Sequence, residues 1–170
     1  MSTMAFGARG SGRRSVTLFA ATVVVACAQE AAPPAPLDTR NESCGSCRMA
    51  ISDARFASQL VAAAEEPKFF DDLGCLASYL RSTKSLPRDG RVYVADHRTK
   101  AWVPAAEAVY TKVPGIETPM GSHVIAHADP ASRDDDPDAR SGEPIAREAL
   151  FGSPLPAPVA PAPMNARERR

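Results

Sequence analysis

Cys44-Gly45-Ser46-Cys47-Arg48-Met49 brings three sulfur atoms within six residues of one another. Thiolate and thioether are soft ligands that suit Cu(I), whereas zinc takes cysteine, histidine and carboxylate and seldom methionine. A Cys-x-x-Cys-x-Met run therefore leans towards copper. Met49 has two readings from spacing alone, because Cys47, Met49 and Ile51 alternate and the side chain can equally point into a core. A second soft group stands far along the chain, in Thr118-Pro119-Met120-Gly121-Ser122-His123. Proline and glycine place Met120 on a turn, where side chains are more often exposed than buried. Met120 and His123 are either late-arriving ligands to the cysteine loop or a loop methionine and a solvated histidine without a role. The candidate metal set is Cys44, Cys47, Met49, Met120 and His123.

Other reactive side chains have simpler readings. Cys75 falls in the first turn of an expected helix, a position that lowers a thiol pKa and favours ligation. As a small apolar residue it is also at home in a core, and that reading is preferred. Asp71 and Asp72, just ahead of that helix, suit capping and dipole complementation. His97 lies between a strand and Arg98-Thr99-Lys100 and reads as a solvated turn residue.

The elements that must position these residues follow from periodicity. Ala57 to Ala64 is apolar, Glu65-Glu66-Pro67 reads as a turn, and Lys68-Phe69-Phe70 closes a hairpin. Leu73, Leu76 and Leu80 have helical spacing, through about Ser82. Val92-Tyr93-Val94 and Ala101-Trp102-Val103 read as paired strands around a turn at residues 98–100. Residues 104–112 are ambiguous between helix and strand, and His123 to Ala128 forms a last strand. The order predicts an α+β fold with a small, mainly antiparallel sheet and one or two helices.

The two ends differ from this middle. Arg9, Arg13 and Arg14 precede the apolar run Val16–Val25, which is too short to cross a bilayer and reads as a signal peptide over residues 1–26. The run ends in Val24-Val25-Ala26-Cys27, similar to a lipobox, so Cys27 is the expected lipidated residue, tethered at a membrane facing a periplasm-like space. Residues 27–40 hold three of the chain's prolines and read as an extended tether. Residues 129–170 hold half of the sixteen prolines and the acidic Asp134-Asp135-Asp136, and are expected to be a disordered tail. The domain is thus expected over residues 41–128. The formal net charge is zero, and the chain lacks the basic face that nucleic-acid binding requires.

Several short motifs, in this order, resemble the NosL family of nitrous oxide reductase accessory lipoproteins. They are Cys44-x-x-Cys47-x-Met49-x-Ile51, Phe70-Asp71-Asp72-x-Gly74-Cys75-Leu76, Val94-x-Asp96, Ala101-Trp102, Ala108-x-Tyr110 and Thr118-Pro119-Met120-Gly121. The resemblance implies two ββα-type units, a lipid-anchored periplasmic location, Cu(I) binding, and delivery of copper to a client copper enzyme or its assembly factors. It favours ligation by Met49 and Met120. Many relatives have glycine in place of Arg48, and glycine commonly follows the Met-Gly pair where this chain has His123 and then His127.

Two other classes compete with a copper chaperone. A thiol-disulfide oxidoreductase would use the Cys44/Cys47 pair, but such folds place Cys-x-x-Cys at a helix N-terminus directly after a strand. A proline-rich tether precedes it here. A structural zinc site would close on Cys44, Cys47, Cys75 and a histidine.

Overall fold

The computed structural model describes residues 32–152, apart from residues 64, 84 and 88, together with Leu155. The expected signal peptide, Cys27 and the distal tail from residue 156 lie outside the described residues. Two small antiparallel sheets form the framework. The first has the order β2-β1-β3-β4, with β1 (Ser58–Ala62), β2 (Glu65–Phe70), β3 (Arg91–Ala95) and β4 (Trp102–Pro104). The second has the order β6-β5-β7, with β5 (Val109–Lys112), β6 (Val124–His127) and β7 (Glu143–Ile145). Both β1-β2 and β5-β6 are followed by a helix, α1 (Leu73–Ser82) and α2 (Pro130–Asp134), which gives the two ββα units.

The helix α1 buries Leu73, Leu76 and Ala77, with Leu80 partly covered, a stripe at spacings of three and four. It packs against β1, β2 and β6 and so spans both sheets. Phe70, Leu60, Val94, Tyr110 and Val124 close the main core over it. No helix among the described residues is long and apolar enough to cross a membrane.

Two expectations are corrected and one ambiguity is resolved. Glu65-Glu66-Pro67 belongs to β2 and is not a turn. The strand lies at the edge of its sheet, where an exposed proline costs no ladder bond. The ambiguous stretch ends in strand β5, as its β-branched and aromatic residues favour. The folded region also continues well past residue 128. After α2 come a 3-10 turn (Pro137–Ala139), strand β7 on the free side of β5, and helix α3 (Arg147–Phe151) against α1.

Tertiary contacts hold each of these short pieces. Asp96 accepts from the Ala128 amide (2.8 Å) and from the Ser132 hydroxyl (2.6 Å). Phe151 stacks edge-on against Tyr110 at 5.4 Å, and Arg81 donates to the Leu150 carbonyl (3.1 Å). At the other end, residues 32–38 form no regular element. They are nonetheless docked: Gln59 exchanges hydrogen bonds with the backbone of Ala35, and the Tyr93 hydroxyl donates to the Ala32 carbonyl.

Candidate metal centre

The cysteine loop is a tight turn closed by the Cys44 amide donating to the Met49 carbonyl (2.8 Å) and the Arg48 amide donating to the Cys44 carbonyl (3.0 Å). It is fastened to the end of β2 by the Gly45 amide, which donates to the Phe69 carbonyl (2.7 Å). Arg48 has φ of 68°, in the left-handed region that glycine enters without strain.

Fastening the loop to β2 brings it over the start of α1. The Sγ atoms of Cys44, Cys47 and Cys75 and a carboxylate oxygen of Asp71 all lie within 4.8 Å of one another. Cys47 Sγ–H donates to Asp71 at 3.5 Å. Cys44, Asp71 and Cys75 are buried, while Cys47 is half-exposed. The three cysteines are free thiols.

Burial pushes the Cys47 thiol up from its ordinary value, and the neighbouring Cys44 and Asp71 add to the shift. Burial likewise raises Cys75, reinforced by the Asp71 carboxylate. Cys47 and Cys75 therefore hold their protons more tightly than free thiols, and an incoming soft ion must displace those protons. A redox nucleophile needs the opposite shift.

Met120 reaches the same place from the far end of the chain. It lines a cavity of about 350 Å³ together with Cys47, Cys75, Ser78, Arg81 and Ser122. Its turn is anchored by Asp72, whose two oxygens serve different ends. One accepts from the Gly74 amide (2.6 Å) to cap α1, and the other accepts from the Met120 amide (3.1 Å). Gly74 sits in close approach to this turn: a Cβ there would stand 3.0 Å from Asp72 Oδ1 and 3.1 Å from Ser122 Cβ, so a larger residue would have to push them back. Gly121, at φ of 69°, turns the chain back towards β6.

The sequence-predicted residues are thus placed as follows. Cys44 and Cys47 come together, and Met120 lines the cavity beside Cys47. Met49 is 57% exposed, which rules out its reading as a core residue. His123 Nδ1 donates to the Ile116 carbonyl (2.7 Å), and its backbone, at φ of 56°, shapes the turn. Cys75 is buried as expected, and it also joins the cluster. Asp71 is not a cap: it faces the thiols, and Asp72 alone caps α1. His97 is not solvated but 3% exposed, and it pairs with Asp136.

The NosL family model matches residues 34–142 of the chain. The chain belongs to the NosL family. This is a copper-associated family of accessory proteins rather than catalysts, and here its matched region contains a cluster of three cysteines and one aspartate able to hold a metal ion. The match also reaches past α2 and the 3-10 turn to Gly142, in keeping with the extended folded region. No curated protein and no solved structure matches the chain.

Proposed function

We propose that this protein is a lipid-anchored, periplasm-facing chaperone that binds Cu(I) as cargo and delivers it for assembly of a copper enzyme such as nitrous oxide reductase. The observation that carries this reading is a cluster of three thiols, two of which, Cys47 and Cys75, line a cavity that Met120 also lines. Thiolate and thioether together select Cu(I) over harder ions. Of the sulfur residues that line the cavity, Cys47 and Met120 are the accessible ones, so a partner's ligand can enter on their side before the buried cysteines let go. Family membership supplies the copper association, and the lipobox-like Val24-Val25-Ala26-Cys27 supports the anchor.

Titration of the reduced protein with Cu(I) against a chromophoric chelator should give about one tightly held equivalent per chain. Cys44→Ser combined with Cys47→Ser should abolish it, and equal binding by that variant would overturn the reading. Transfer of the ion to a copper-free client reductase tests delivery, and Cys27→Ser should release the protein from the membrane fraction.

One observation favours a second reading. Three cysteines and Asp71 also make a four-donor set suited to structural zinc. That reading predicts unfolding by chelators, whereas the copper reading predicts a folded metal-free protein, since the aromatic and aliphatic core is complete without an ion.

A further inference from the structure

A second group of donors lies where the two sheets meet the C-terminal extension. His97 follows β3, and its amide donates to the Ala126 carbonyl in the other sheet (2.8 Å). His127 is the last residue of β6, and Asp136 starts the 3-10 turn. Their side chains are 2%, 0% and 5% exposed. Asp136 Oδ2 faces His97 Nδ1 at 2.7 Å and His127 Nε2 at 2.9 Å, and its Oδ1 accepts from the Asp138 amide (2.9 Å).

The outward-facing ring nitrogens, His97 Nε2 and His127 Nδ1, are buried and have no partner among the described residues. Buried polar atoms are nearly always paired, and an orphan in a native fold points to an ion or other group that the protein atoms do not supply. Two buried imidazoles are more ligating capacity than a hydrogen-bonded clasp around one carboxylate oxygen needs. One ligand atom from each of the three residues lies within 4.8 Å of the others.

We propose that His97, His127 and Asp136 form a second metal site, for a divalent ion of borderline hardness such as Zn(II), separate from the sulfur site. Two imidazoles and a carboxylate suit Zn(II) and its neighbours, and the absence of sulfur from the donor set gives Cu(I) no advantage there. The bound ion ties β3, β6 and the C-terminal extension together. Its enclosure suits a retained structural ion rather than cargo, and it does not depend on the proposed copper function.

The test uses the full chain carrying Cys44→Ser, Cys47→Ser and Cys75→Ser, which silences the sulfur site, with folding checked by circular dichroism. Zn(II) should bind at one equivalent and raise the melting temperature. Co(II) should give visible d–d bands without thiolate charge transfer, and adding His127→Gln should remove both signals. The wild-type chain preloaded with Cu(I) provides the same readings should the cysteine-free variant fail to fold. A folded chain in either form that takes up neither Zn(II) nor Co(II), with an unchanged melting temperature, would show a hydrogen-bonded clasp only and overturn the proposal.

Discussion

The sulfur cluster stands beside a cavity, with Cys47 half-exposed and Met120 46% exposed. The His97–Asp136–His127 cluster is closed on all sides, with no side chain more than 5% exposed. Both gather donors from distant parts of the chain, yet they are built for different lifetimes of whatever they hold. An ion near Cys47 and Met120 can be reached by an incoming ligand, whereas one between the histidines is released only through local unfolding. Exposure, more than donor type, separates a site for exchange from a site for cohesion.

The sharpest way to break this contrast is to delete one member of each. Asp136→Ala leaves two buried imidazole N–H groups without an acceptor and should cost about 1–3 kcal/mol for each in urea unfolding of the metal-free protein. Cys47→Ser, at the half-exposed side of the sulfur cluster, should stay within about 0.5 kcal/mol of wild type. Similar losses from the two would erase the distinction.

Acid sharpens the same contrast. Burial works against the charge on Asp96, but hydrogen bonds from Ser132, Ala128 and Thr99 outweigh it and hold the carboxyl well below its usual range. Asp136 is opposed by burial and held down by both histidines. A carboxyl depressed in the fold contributes stability that is complete above its unfolded value, about 3.9 for Asp, and is lost as pH falls through its folded value. The melting temperature should therefore drop below about pH 4, and Asp96→Asn, lower throughout, should flatten that acid limb.

A smaller effect is expected where one carboxylate serves both the helix and the Met120 turn. Asp72→Ala should cost about 1–2 kcal/mol as a lost cap. It should also speed amide exchange at Met120 and weaken Cu(I) binding, and unchanged exchange there would mean that the turn holds itself. The smallest effect should be a gain. Arg48→Gly relieves a left-handed residue in the cysteine loop and should add about 1 kcal/mol, read as a higher urea midpoint.

Local patterning made much of the first ββα unit legible. The apolar run of β1, the Asp72 cap and the stripe on α1 state their structure within a few residues. The sulfur site was half legible: Cys44 and Cys47 are neighbours in sequence, and Met120 declares itself by its turn. Asp71 and Cys75 each have a sufficient local explanation, capping and core packing, and only the docking of the loop on β2 brings the other thiols to them.

The region after residue 128 departs from its sequence pattern for a related reason. Its prolines and acidic run match the composition of a disordered tail. Asp136, however, is buried against two histidines whose partner no local window reveals, while Asp134 and Asp135 are exposed. Short elements held only by distant contacts leave little periodic signal.

The pairing of β7 with β5 has a practical side for anyone trimming this protein. A fragment stopped at residue 128 would expose the outer backbone edge of β5 and remove the Phe151 ring that covers Tyr110. An unprotected edge beside bared aromatic surface invites strand-to-strand association between molecules. Such a fragment should precipitate or form oligomers, whereas one carried through Leu155 keeps that flank capped.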